Sequence, residues 1–355
     1  MGDFELSAEF QAESGVTALF GRSGAGKSTL VAMIAGLVRP DKGRIRLGRR
    51  TLFDSDKGIN VPTPHRSVAV VFQEPRLFPH LSVRRNLTYG RWAGRRPGRQ
   101  EMEAVVTLLG LDQLLDRSPD GLSGGEAQRV SVGRALLADP DILLMDEPLS
   151  QLDGARRAEI LPWLDRLAHE AGVPILYVSH ALDEVARLAD FLVVLSNGQV
   201  VASGAVDDVM RRIDLGPATG RHEAGSLLYG VIESHDPPYR LSRIAIAGSH
   251  IDVPAIDGAV GDPVRLRIRA RDVALSLAPV NGLSIRNSLA ARIDEIVEES
   301  GPFAEILLSL GADEGGEPFL RARLTRKSVN QLGLQVGGRV HALIKAVAVE
   351  RQKGR

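Results

Sequence analysis

The chain has 355 residues in which 44 Lys and Arg balance 44 Asp and Glu, so no global basic field points to nucleic acid as its main partner. That length exceeds one ordinary core and suggests two or three domains. The absence of cysteine excludes disulfide staples and thiolate metal sites and fits a reducing compartment. The first residues, MGDFELSAEF, carry an acid where a signal peptide needs bases, and no apolar run approaches the ~18 residues of a membrane span. Leu6 stands where myristoylation needs Ser or Thr, and the RQKGR end offers no prenylation cysteine, so a soluble chain without a lipid anchor is expected.

From the start to about Leu215, short β-branched runs alternate with helix-period segments: Val16–Phe20 then Ser28–Leu37, Ile142–Met145 then Arg156–Ala171, Ile175–Val178 then Leu182–Leu188. This alternation predicts an α/β layer with a mainly parallel sheet. The first strand runs into GRSGAGKST, the form G-x-x-x-x-G-K-[ST]. Gly21, Gly24 and Gly26 let backbone N–H groups turn toward phosphate oxygens, and a helix opening at Lys27 aims its positive end at the same place. Arg22, Ser23, Ala25 and Thr29 complete the loop. Lys27 is placed to reach β and γ phosphates, and Ser28 to offer a hydroxyl to Mg²⁺. The chemistry is therefore that of ATP with Mg²⁺. Gln73, after the apolar run Val68–Phe72, has an amide oxygen for the same Mg²⁺ or for water.

A helical insert spans about 77–130. Leu77, Phe78, Leu81 and Val83 mixed with Arg84 and Arg85 suit either a docking surface for a short helix or internal packing, and Arg91–Arg99 reads as a solvated loop. LSGGE follows, with Ser123, Gly124 and Gly125 forming a second Gly-rich turn at a helix N-terminus, where Ser123 and Glu126 also make a capping box. ILLMDEP ends a buried strand in two acids, Asp146 for the metal and Glu147 to polarise the attacking water. ILYVS ends at His180, suited to the γ-phosphate and that water. Phe4 and Phe10 are each either a core residue or an aromatic free to stack on a base. After a linker-like stretch near 215–226 the pattern changes to short alternating strands such as Val264–Ile268, Ala290–Ile296 and Ala304–Leu310.

The order GRSGAGKST, Gln73, LSGGE, ILLMDEP, LSQLD, His180 resembles the nucleotide-binding subunits of ABC transporters, over about the first 215 residues. Arg22, Glu126 and Gln151 depart from the commonest pattern without removing a catalytic group. The resemblance implies a homodimer in which Ser123, Gly124 and Gly125 bind the γ-phosphate of ATP held by the opposite subunit, with the insert coupled to integral-membrane permease subunits. SIRNSLAARIDEI, FLRARLTRKSVNQLGL and HALIKAVAVE resemble a molybdate-binding Mop domain, a small all-β OB-like barrel. That likeness implies an oxyanion set of Ser284, Arg286, Thr325, Ser328 and Lys345, shared between neighbouring domains; hydrogen-bond donors with modest positive charge fit an oxyanion.

The expected architecture is thus a P-loop NTPase of the ABC type over 1–226, a β-rich connecting segment over 227–282 and the Mop-like domain over 283–352. The implied function is the ATPase of a bacterial molybdate importer with regulatory molybdate binding at its C-terminal domain. Its expected place is peripheral, on the cytoplasmic face of the inner membrane, with a periplasmic or extracellular molybdate-binding protein acting through the permease. Alternatives are an importer for tungstate, sulfate or another oxyanion, and a soluble ABC ATPase not linked to transport.

Overall fold

The computed structural model describes residues 4–12, 15–94, 101–152, 154–170, 172–212, 215, 224–280, 282–298, 301–311 and 318–353. They form two compact units, Met1–Gly204 and Ala205–Arg355.

In the first unit β1 (Val16–Phe20) leads to α1 (Lys27–Ala35), then β2 (Arg44–Leu47), β3 (Arg50–Asp54), β4 (Ile59–Asn60) and β5 (Val68–Val71). Three helices follow, α2 (Val83–Gly94), α3 (Met102–Leu109) and α4 (Gly124–Leu137). The chain then alternates through β6 (Ile142–Asp146), α5 (Gly154–Glu170), β7 (Ile175–Ser179), α6 (Leu182–Leu188), β8 (Phe191–Ser196) and β9 (Gln199–Ala205). Among the described residues the main sheet has the order β5-β6-β7-β1-β8-β9, and β5, β6, β7, β1 and β8 pair in parallel. β1 and β7 are buried at every position, as near-continuous apolar strands covered on both faces must be. The parallel pairing brings the C-terminal ends of β1, β5, β6 and β7 to one edge, where open α/β sheets place ligands.

The insert is helical as expected, with one correction: α2 continues through Arg91 to Gly94, where a solvated loop was expected from Arg91 on. Residues 95–99 of that loop lie outside the described residues. Val83 is fully buried and Leu77 packs on the core, whereas the Phe78 ring stacks on Tyr89 at 4.3 Å and Tyr89 lies 5.9 Å from Trp92, which is 77% exposed. Internal packing thus takes the two aliphatic side chains, and the aromatic row runs from half-buried Phe78 and Tyr89 out to exposed Trp92.

The second unit contains α7 (Val206–Arg211), β10 (Gly225–Asp236), β11 (Leu241–Ile246), β12 (Ser249–Pro254), β13 (Pro263–Arg269) and β14 (Val273–Ser276). It continues with β15 (Asn287–Glu298), β16 (Phe303–Leu310), β17 (Phe319–Thr325), α8 (Arg326–Leu332), β18 (Arg339–Ile344) and β19 (Val349–Lys353). Its sheets run β12-β11-β10-β13-β19 and β17-β16-β15-β18-β14, around one apolar core from Leu228 to Val349. Read in that order they correspond strand for strand, except that the last strands are exchanged: β14 completes the second sheet and β19 the first.

The correspondence extends to details. β10 and β15 carry irregularities at matching steps, Ile232/Ser234 and Ile293/Glu295. VRLRIRARDV from Val264 matches VHALIKAVAV from Val340 in length and in its single-turn helix, introduced by Arg269 in one and Lys345 in the other. Asn287 Oδ1 accepts from the Asp252 N–H at 2.7 Å, and Ser226 Oγ accepts from the Arg321 N–H at 2.8 Å, at equivalent places of β12 and β17. Residues 227–282, expected to connect, carry most of β10 and all of β11 to β14 of this interlocked pair.

Candidate functional site

β1 delivers the chain to the loop with no slack. Gly21 is buried, and a Cβ there would stand 2.3 Å from the Leu195 carbonyl oxygen. Gly26, the N-cap of α1, has φ 101, a left-handed backbone that glycine adopts freely. Arg22, Ser23, Gly24 and Ser28 face solvent while Ala25 packs inward, and Leu30 N–H already bonds to Gly26 O. The helix therefore begins at Lys27, with Ser28 and Thr29 in its first turn.

Lys27 is 5% exposed, and its ammonium donates to Gly21 O at 2.8 Å and Arg22 O at 3.2 Å. It also lies 3.5 Å from Glu147 Oε1. Ser28 Oγ donates to Asp146 Oδ1 at 3.1 Å. Burial lifts the Asp146 carboxyl above its usual range, with the Ser28 hydroxyl and Lys27 pulling it back. Two hard oxygens so placed suit a Mg²⁺ that takes its remaining ligands from phosphate and water. Among the described residues no cluster of three or more His, Asp or Glu could hold a metal without such help.

Glu147 follows the last residue of β6 with φ 47, a strained position for a non-glycine residue, held by its N–H donating to Val178 O at 3.0 Å. That backbone turns its carboxylate between Lys27 and His180, whose Nδ1 is 3.1 Å from Glu147 Oε2. The loop glycines, Lys27, Ser28, Asp146, Glu147 and His180 are thus one cluster, although β1 and β7 are more than 150 residues apart in sequence.

Gln73 is exposed two residues beyond β5, and no described hydrogen bond joins it to Ser28 or Asp146. Ser123 caps α4: its side chain accepts from Glu126 N–H at 3.3 Å, and Glu126 Oε2 accepts from Ser123 N–H at 2.7 Å. Those bonds hold the Glu126 carboxyl below its ordinary range. Among the described residues no hydrogen bond or ion pair joins Ser123, Gly124 or Gly125 to Gly21–Thr29. Phe4 and Phe10 are distinguished by place. Phe4 is 51% exposed with its ring edge 3.1 Å from where a Gly26 Cβ would stand, while Phe10 packs on the core. Asp153 of LSQLD lies outside the described residues.

The C-terminal set divides in two. Thr325 Oγ1 shares a hydrogen bond with Ser328 Oγ at 2.8 Å and caps α8. Thr325 pairs with Phe303, beside the C-terminal end of β15. Ser284 and Arg286 precede the other end of β15, where Asn287 pairs with Ile344, the neighbour of Lys345. Ser284, Arg286 and Lys345 are exposed. Arg286 donates to Asp252 Oδ2 through Nε at 3.1 Å and Nη2 at 3.0 Å, and Arg243 Nε binds Oδ1 at 2.9 Å. Burial opposes ionisation of Asp252, but the two arginines outweigh it and hold the carboxyl below its usual range.

Sequence reading missed a polar knot under His180, made of buried Tyr177, Ser179 and Glu184 with partly exposed Arg157. Its signal was present: Tyr177 and Ser179 alternate as the polar positions of the apolar strand ILYVS, and Glu184 follows His180 by one helical turn.

A family model described as ABC transporter matches residues 6–150, and one described as TOBE domain matches residues 283–350. The molybdenum import ATP-binding protein ModC of Brucella abortus (strain 2308) is 51% identical over 350 residues, covering 99% of this chain and 95% of that protein. The protein of the same description from Mesorhizobium japonicum is 49% identical over 352 residues, covering 99% and 94%. A solved structure of cbiO1 from Clostridium perfringens, described as part of the ABC transporter complex cbiONQ, covers 58% of this chain and 86% of that chain at 29% identity, with a TM-score of 0.49.

Proposed function

The chain belongs to the family of molybdenum import ATP-binding proteins of ABC transporters, and from that premise we propose that it hydrolyses ATP to drive molybdate uptake through a membrane permease. The observation that carries the chemistry is the meeting of Lys27, Glu147 and His180 beside the Ser28–Asp146 pair. The full-length likeness to molybdenum importers carries the cargo.

In this reading the loop Gly21–Thr29 wraps the ATP phosphates with backbone N–H groups, and Lys27 transfers its donors from loop carbonyls to β and γ oxygens. Ser28 and Asp146 hold Mg²⁺, with Gln73 as a further oxygen. Bound there, Mg²⁺ supplies positive charge against the phosphate oxygens. Glu147 takes a proton from the attacking water, and His180 holds Glu147 and the γ-phosphate in register. Phe4 stacks on adenine. The capped turn Ser123–Gly125 serves the partner's nucleotide, so two sites form in a homodimer.

The aromatic row Phe78, Tyr89 and Trp92 is the surface for a permease helix. Among the described residues no helix is long and apolar enough to cross a membrane, in keeping with a peripheral subunit on the cytoplasmic face that depends on the permease and on an external molybdate-binding protein. Ser284, Arg286 and Lys345 at one end of β15, and Thr325 and Ser328 at the other, form a regulatory oxyanion site only when two copies bring opposite ends together.

Reconstitution with the permease in vesicles tests this reading. ATP-dependent molybdate uptake is expected, with loss in Glu147→Gln. Uptake of sulfate or tungstate in preference to molybdate would change the cargo, and ATP turnover indifferent to every oxyanion would overturn the transport reading.

A further inference from the structure

The chemistry above makes no use of the polar knot beneath His180. Tyr177 OH donates to Glu184 Oε2 at 2.8 Å and Ser179 Oγ donates to the same oxygen at 2.7 Å. Ser179 Oγ in turn accepts from Ala181 N–H at 3.0 Å, so the backbone on both sides of His180 is tied to one carboxylate. Glu184 is 3% exposed, Ser179 2% and Tyr177 1%. Burial and Glu184 push the Tyr177 hydroxyl well above its ordinary range, which keeps it a donor.

The other oxygen, Oε1, faces Arg157 Nε at 3.5 Å. Arg157 Nη2 is 3.5 Å from both Leu149 O and Leu152 O, in the loop that follows Glu147. Ser150 Oγ ties that loop back to Glu147 O at 2.8 Å. One carboxylate therefore fixes the histidine's strand end with one oxygen and the loop behind the glutamate with the other. With Arg157 32% exposed and Glu184 4%, the pair is half-buried, and taking the carboxylate out of water offsets much of what the pairing contributes to folding. What it adds here is a fixed geometry between two elements that meet only at the site.

We propose that Glu184 is a positioning residue for ATP hydrolysis, setting the approach of His180 to Glu147 through Ser179 on one side and Arg157 on the other. The inference rests on the roles given above to His180 and Glu147. Misplacement of reacting groups by an ångström costs up to about 100-fold in rate, so Glu184→Gln lowers kcat by about 10- to 100-fold. The KM for ATP and the affinity for a non-hydrolysed ATP analogue stay within about twofold, because Gly21–Thr29 is untouched.

A double-variant cycle on the full chain separates positioning from folding. Ser179→Ala, which leaves the ion pair intact, is combined with His180→Ala, and ATP turnover is measured for the parent, both single variants and the pair. Each single variant is expected to lose turnover, and Ser179→Ala is expected to cost nothing further once His180 is gone. Additive losses, or a Ser179→Ala and Glu184→Gln that both turn over within twofold of the parent, overturn the inference and leave the roles of His180 and Glu147 standing. Normal turnover in His180→Ala alone would remove the histidine's role, and the inference with it.

Discussion

Glu147 occupies a left-handed backbone position that costs roughly 1–3 kcal/mol, and its carboxylate is thereby shared between a lysine and a histidine from two other elements. Glu147→Gln keeps the shape and removes the base: ATP binding should persist while hydrolysis falls about 10²- to 10⁴-fold, and near-normal turnover would reject the assignment. Phe4→Ala should weaken ATP binding by about tenfold, within the ~1–3 kcal/mol typical of base–aromatic stacking. Phe10→Ala, on the core side, should leave nucleotide affinity unchanged and lower the melting temperature instead; the reverse pattern would exchange the two assignments. At this scale the phosphate loop and the two acids were legible because their spacing is dictated by a ligand of fixed size. The link from Arg286 to Asp252 was not, since Arg286 lies just before β15, Asp252 lies on β12, and nothing local to either residue points to the other.

Elements are joined at this protein's corners by buried polar side chains. Asn86 is fully buried at the start of α2, where its amide nitrogen donates to Phe78 O, Leu81 O and Ser82 O and its amide oxygen accepts from Phe78 N–H. Asn86→Ala should destabilise the first unit by about 1–3 kcal/mol in denaturant titrations, because it orphans the turn that presents Phe78. An effect below a few tenths of a kcal/mol would mean that water replaces the amide without loss. At the joint between β12 and β15, Asp252 has a folded-state pKa held below its unfolded value. Its contribution is therefore present above the ordinary carboxylate pKa of ~3.9 and is lost as pH falls through the depressed folded value. Asp252→Asn should lower the melting temperature at pH 7, with the difference from the parent vanishing in strong acid; a pH-independent difference would point to packing. Periodicity revealed β1, β5, β6, β7, β13, β15 and β16 and the helices between the parallel strands, since each carries its own apolar pattern. It could not reveal which strands are neighbours, because β1 lies between β7 and β8 through pairings that no local pattern encodes.

On the scale of the whole molecule, the ATP-binding unit follows from its motifs, whereas the C-terminal unit looks different in sequence and in space. The family likeness covers residues 283–350, and the sequence suggested a self-contained barrel there. In the fold, that stretch borrows β14 from the preceding half and lends β19 to it. A fragment of residues 283–355 should accordingly fail to give a cooperative thermal transition as a monomer, while residues 205–355 should fold. A sharp monomeric transition in the shorter fragment would show that the exchange is dispensable. The same exchange imposes an order on synthesis. The sheet that opens at Gly225 lacks its last strand until Val349–Lys353 leaves the ribosome, a wait of several seconds at ~5–20 residues per second. Throughout it, the edge of β13 that β19 will cover has no strand of its own, and such an open edge is a template on which a strand of another nascent chain can pair.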